Sequence, residues 1–197
     1  MREDEDLRGV DWYGEVLAGE RFVRCDFADA DLSELDTTDC VFEECDFSGA
    51  RLNASTHERT AFLRCRFRRT SFFGAELRGC KLTGSRFEGP CELRPLTVDR
   101  GDWSYVSLRG QELEGAGLRG VSLAEADLTD ADLRRADLRD ADLSHVMLHG
   151  TRTAGADLRG ATLTGVDLRV LEITKVHLDV HQAVAFATAH GAVVSWD

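Results

Sequence analysis

Six cysteines, six histidines and 36 acidic side chains are the groups in this 197-residue chain whose types could do chemistry. His145 and His149 stand four apart, a spacing that on a helix would aim two imidazoles at one metal ion, and His177 and His181 repeat it. Cys25, Cys40, Cys45, Cys65, Cys80 and Cys91 invite a disulfide framework or a zinc site. Asp127, Asp132, Asp137 and Asp142 look like a carboxylate cluster. The serines prompt a search for a nucleophile with a histidine and an acid, and the glycines one for a phosphate loop. Each reading requires an element that brings its residues together.

The element is a period of five. Leucine stands at Leu118, Leu123, Leu128, Leu133, Leu138, Leu143 and Leu148, with a small residue two positions before most of them, as at Ala126, Ala131, Ala136 and Ala141. On an α-helix five steps advance about 140°, which scatters the leucines around the cylinder. On a flat strand five is odd, so successive leucines would face opposite ways. The conflict disappears if the chain turns a corner after each pentapeptide, with the small residue and the leucine pointing inward. Four corners close a square, and coils of about twenty residues stack at about 4.8 Å by parallel pairing. The predicted fold is all-β: a right-handed quadrilateral β-helix with a short C-terminal capping and dimerisation helix.

In that frame the apparent sites come apart. All six cysteines occupy the small inward slot, where cysteine acts as a buried hydrophobe, so free thiols are expected. Cys25, Cys45 and Cys65 are twenty apart and should stack on one side. The His145–His149 spacing crosses a corner, and His177 and His181 straddle the end of the coil, so neither pair reads as a metal site. Asp127, Asp132, Asp137 and Asp142 form a ring around one coil instead of a cluster. The serines have no partners in register, and the glycines sit singly at corners. No enzyme, metal, cofactor or small-molecule substrate is expected.

The repeat runs from 1 to 178. Phe27, Phe47, Phe67 and Phe87 should form one column, and Phe22, Phe42 and Phe62 another. Thr37 and His57 fall on a third side, where a local defect or bulge is expected. Fifteen of the 18 glycines occupy the second position after a centre, where a corner can need positive φ. The frame slips by one between Phe87 and Leu93, around Pro90 and Pro95, and a kink is expected at 88–97. A second unit, 179–197, begins with Asp179 as N-cap and Gln182 three residues on, predicting a helix over roughly 180–190. Val180, Ala183, Val184, Phe186, Ala187, Val193 and Trp196 exceed what capping the last coil needs, and predict an end-to-end homodimer.

Net charge is -12, which argues against direct nucleic-acid binding and suits a basic partner or plain solubility. The N-terminus MREDEDLRG lacks the apolar core of a signal peptide and no run is long enough for a membrane span, so a cytoplasmic protein is expected. Counting by twenties, Asp11, Asp31, Glu92, Glu112, Asp132 and Glu172 lie on one face, interrupted by Arg51 and Arg152. Asp6, Asp26 and Asp46 line the adjacent face. Aspartate before a centre can also simply bond nearby backbone. A basic band, Arg64 to Arg69, could pair with neighbouring coils or contact a partner.

The A-[D/N]-L-x-x words resemble the pentapeptide repeat family. RPLTVD at 94–99, DVHQAVAFATAHG at 179–191 and FEECDFSGARL at 42–52 are similar to its MfpA-like, Qnr-related fluoroquinolone-resistance group. The resemblance implies a dimeric acidic rod that mimics duplex DNA, binds DNA gyrase, inhibits supercoiling and protects gyrase from fluoroquinolones, with the carboxylates above as the binding face. About 8.75 coils at roughly 4.8 Å give a rod of about 42 Å. Two rods end to end span about 84 Å, or about 25 base pairs at roughly 3.4 Å each. The competing expectation is a scaffold solenoid whose target is not a topoisomerase.

Overall fold

The computed structural model describes residues 1–195. Strands of two to six residues pair in parallel, each with the segment one coil away. Bridges such as Asp6 to Asp26, Asp26 to Asp46 and Glu112 to Asp132 fix the offset at twenty residues. The chain is therefore a quadrilateral β-helix, and its four sides are labelled by their central residues. Face A carries Phe27 and Phe47, face B Leu32 and Leu52, face C Thr37 and His57, and face D Phe22 and Phe42.

Both aromatic columns form as expected. Phe27, Phe47, Phe67 and Phe87 stack with ring centroids 5.0, 5.2 and 4.8 Å apart. Phe22, Phe42 and Phe62 stack at 4.9 and 5.1 Å. Ring spacing follows strand spacing because each coil repeats the rotamer of the last. Across the corner between faces D and A the rings meet edge-on, as Phe42 meets Phe47 at 73°, which sets positive edge against negative face. From Leu93 to Leu158 leucines and Trp103 take over most column positions, buried like the rings before them, whereas Leu163, Leu168 and Leu178 are half-buried and Ile173 is exposed at the C-terminal end. All six cysteines are free and buried.

Face C contains no bulge. Thr37 and His57 pair in strand register and form a buried polar cluster with Ser55 and Thr60. Thr37 Oγ1 lies 2.7 Å from His57 Nδ1 and 2.8 Å from Thr60 Oγ1. Ser55 Oγ lies 3.0 Å from His57 Nε2 and donates to the Leu52 carbonyl. Polar side chains fit a central slot when each polar atom finds a partner, so the ladder need not break. Burial pushes the His57 imidazole down from its usual 6.5 to about 3, which keeps it neutral.

Positive φ recurs at the corners, but glycine is not required for it. Asp29, Glu34, Arg59, Arg64, Arg135 and His145 adopt φ between 49° and 58° there. Glycine meets a second demand. An added Cβ at Gly49 would stand 2.2 Å from Asp29 Oδ1, and at Gly160 2.5 Å from Asp140 Oδ1. A corner side chain drapes over the next coil, and glycine leaves it room.

The inserted residue lies between Phe87, still paired with Phe67 at an offset of twenty, and Glu92, which bridges Ser71 at twenty-one. Parallel pairing resumes on every side of it, and the Arg94–Pro95 peptide is cis. Buried Gln111 completes the interrupted ladder: its Oε1 accepts from Cys91 N at 3.2 Å and its Nε2 donates to Gly89 O at 2.8 Å.

The two ends differ. At the N-terminal end Arg2 lies over Trp12 and Phe22, 5.6 and 5.5 Å from the ring centroids, and pairs with Glu5 at 2.5 Å. At the other end helix α1, Val180–Ala189, starts at a capping box in which Asp179 and Gln182 bond each other's backbone N–H. Buried Gln182 also donates to Leu158 O at 2.6 Å and Ala161 O at 2.9 Å, tying the helix to the coil beneath.

Candidate functional site

Charge is the property of this surface that could act on a partner, and the repeat sets where each charge stands. A residue just before a centre points outward, two positions from the corner. When it is aspartate, one oxygen accepts the N–H two residues later: Ala28 N to Asp26 at 2.9 Å, Ser48 N to Asp46 at 2.8 Å, Arg134 N to Asp132 at 3.1 Å. That bond steadies the turn into the corner. These carboxylates are thus structural on one oxygen and open to neighbours on the other.

The columns fall where register puts them. Asp11, Asp31, Arg51, Ser71 and Glu92 bridge in succession on face B, followed by Glu112, Asp132 and Arg152. Asp6, Asp26 and Asp46 do the same on face A. Their availability differs. Arg51 pairs with Asp31 at 2.7 Å and holds its carboxyl down at about 2. Asp132 is only 4% exposed, clasped by Arg134 at 2.7 Å and Arg152 at 2.9 Å. It is the centre of an ion-pair network within the chain. Arg8 holds Asp6 at 2.6 Å and approaches Asp26 at 3.6 Å, while Arg66 approaches Asp46 at 3.7 Å. Glu92 accepts from Ser71 Oγ at 2.7 Å. Asp11, Glu112 and Glu172 are exposed and make no ion pair among the described residues.

Asp36, just before the centre of face C, is exposed too, and exposed carboxylates also stand away from the pre-centre position, Glu15 and Glu34 among them. Glu34 lies at the corner between faces B and C, accepting from Tyr13 O–H at 2.6 Å, with Asp36 just beyond it and Glu15 on the coil below. None of the three makes an ion pair among the described residues. With Asp11 they form an unneutralised edge near the N-terminal end. Of the three only Glu34 is a corner residue, at φ 56°; Asp36 stands just before a centre, and Glu15 holds an inward slot of the first coil, where it is nonetheless exposed.

The basic band divides. Arg64 pairs with Glu43 and Glu44, and Arg66 with Glu88 and, more loosely, Asp46. Arg68 and Arg69 are exposed without an ion pair among the described residues.

At the C-terminal end Val180, Ala183 and Val193 are exposed, whereas Val184, Phe186 and Ala187 are half-buried; Trp196 lies outside the described residues. Exposed Val170 and Ile173 extend the same apolar end. His145 and His149 both line a shallow cavity of about 420 Å³ with Met147, Asp167 and Val170. Asp167 is already held by Arg169 at 2.8 Å. Among the described residues no three metal-binding side chains converge.

The pentapeptide repeat region model matches residues 20–90, and the model of eight pentapeptide repeats matches 104–140 and 136–169. No curated protein sequence matches the chain. Among solved structures, a trypsin-treated single-substitution variant of QnrB1, a plasmid-mediated fluoroquinolone resistance protein, is 25% identical with a TM-score of 0.88, covering 98% of this chain and 97% of that one. A second trypsin-treated variant of QnrB1 is also 25% identical, with a TM-score of 0.85, covering 98% of this chain and 99% of that one. Full-length QnrB1, at 23% identity and a TM-score of 0.67, covers 97% of each and shares the fold.

Proposed function

Because this chain belongs to the pentapeptide repeat family, we propose that it is a fluoroquinolone-resistance protein that binds DNA gyrase in place of DNA, as a cytoplasmic binding protein without catalysis of its own. The likeness to QnrB1 over nearly the whole chain supports the resistance role. The observation that carries the mimicry is the set of exposed carboxylates along the stacked coils, Asp11 with Glu15, Glu34 and Asp36, continued by Glu112 and Glu172 on face B. Duplex DNA offers a basic groove fixed negative charges at regular axial intervals. Here the regular interval is the coil spacing, and the fixed backbone supplies the rigidity. Unneutralised carboxylates at the surface draw such a rod to a basic groove in a salt-dependent manner.

In this reading two copies join at their C-terminal ends. The N-terminal end exposes Met1, Tyr13 and Val16 around charged Arg2 and Glu5, while the opposite end gathers exposed Val170, Ile173, Val180 and Val193 about helix α1. Burying that apolar end favours a two-fold contact and doubles the acidic length.

The test is a supercoiling assay with purified gyrase and this protein, with and without a fluoroquinolone. Inhibition that excess DNA relieves, with fewer drug-stabilised cleavage complexes, is expected. No inhibition at low salt, or inhibition that DNA does not relieve, refutes the reading.

A further inference from the structure

Face A changes sign along its length. The position before each centre reads Asp6, Asp26 and Asp46, then Arg66, Arg86 and Ser107, in register from coil to coil. Asp29 stands exposed at the corner of the acidic stretch, and Arg68 and Arg69 stand exposed beside the basic one. Asp29, Arg68, Arg69 and Arg86 make no ion pair among the described residues. Arg66 and Arg86 are ladder neighbours of like charge, which disfavours their pairing; Glu88 relieves Arg66 at 2.9 Å within the chain, and Arg86 has no carboxylate partner among the described residues. The repeat does not demand arginine there, since the same slot holds Ser107, Asp127 and Met147 further along.

A face that is acidic over one stretch and basic over the next, at one spacing, is complementary to itself. We infer that face A docks on face A of a second copy of this chain, with the rods antiparallel and a two-fold axis lying across them between the coils of Asp46 and Arg66. Equal coil spacing then sets Asp46 against Arg66 of the partner subunit and Asp26 against Arg86 of the partner subunit, and the symmetry doubles each pair. Ala28, Ser48 and Gly49 leave low ground for the partner's Arg68, Arg69 and Glu88. At the rim Arg8 meets Arg109 of the partner subunit, and both cations are already held within their own chains, by Asp6 at 2.6 Å and by Asp130 at 3.3 Å. The face has no apolar centre, so the association is weak and electrostatic, unlike the apolar contact at the C-terminal end. It covers Asp6, Asp26 and Asp46 and forms a state in which part of the acidic surface is hidden.

Sedimentation velocity of the full chain at about 0.01 M and about 0.15 M salt separates the two contacts, because the screening length falls from roughly 30 to roughly 8 Å. A species heavier than the high-salt one should appear at low salt and vanish on raising it. Two variants sharpen the test: Arg66→Glu with Arg86→Glu, and Asp26→Lys with Asp46→Lys, each checked for fold by circular dichroism. Each alone should lack the low-salt species, and an equimolar mixture, complementary across the whole contact, should regain it. Wild type that stays unassociated at low salt overturns the inference, as does a mixture that fails to associate. Binding of added heparin by wild type that does not self-associate would also overturn it and assign the band to another anionic partner.

Discussion

Replacing His57 by leucine should flatten the acid branch of the stability curve. The imidazole is fully buried, and its pKa falls from 6.5 to about 3 through desolvation. As pH drops below 6.5 the unfolded chain takes up a proton that the folded chain refuses until about pH 3. Stability therefore falls as pH falls through that window, by about 1.4 kcal/mol per pH unit and about 5 kcal/mol across it. Leucine suits the slot, because Leu77 occupies the next one in the same column. The remaining polar atoms keep partners, since Thr37 retains Thr60 and Ser55 retains the Leu52 carbonyl. The variant should thus lose only about 1–2 kcal/mol at neutral pH. Urea unfolding of both proteins at about pH 7.5 and about pH 4.5 gives the comparison. Wild type should lose about 3 kcal/mol more than the variant over that interval, because the loss from the paired aspartates is common to both proteins and cancels. Parallel losses would show that His57 is protonated or hydrated in the folded chain, and the account of the buried cluster would fail.

Lysine at Asp11, Glu34 and Glu112 together should weaken gyrase inhibition at least tenfold and reduce its salt dependence. Asp132→Asn should leave inhibition nearly unchanged while lowering the melting temperature; the supercoiling assay and a thermal melt distinguish the two. Phe47→Ala opens a hole between Phe27 and Phe67 and should cost about 3–5 kcal/mol in urea unfolding. Gly101→Ala should cost about 2–4 kcal/mol, because its Cβ would lie 2.3 Å from the Cys80 carbonyl oxygen at φ 130°. Gly14→Ala, with nothing within 4 Å, should cost about 1 kcal/mol; equal losses for the two glycines would show that crowding is not what matters at Gly101. Gln182→Leu leaves the Leu158 and Ala161 carbonyls without their donor and should release α1 before the coils melt, read as early loss of helical signal.

A strict period of five, without side-chain coordinates, was enough to determine the square coil, the phenylalanine columns and the burial of all six cysteines. These follow from which way each residue of a five-residue word points, a local property that identical words repeat. Three things were decided only in three dimensions. Thr37 and His57 looked like a defect because polarity counts against a core slot one residue at a time, whereas their hydrogen bonds run between coils and to Ser55 and Thr60. Glycine at the corners looked like a response to φ, yet aspartate and arginine take the same φ; the space Gly49 leaves for Asp29 belongs to two coils at once. Carboxylates twenty apart looked equivalent, but Asp132 is closed off by Arg134 and Arg152 while Asp11 and Glu112 stand open. Register fixes where a charge sits, and long arginine side chains reaching between coils decide whether a partner can meet it.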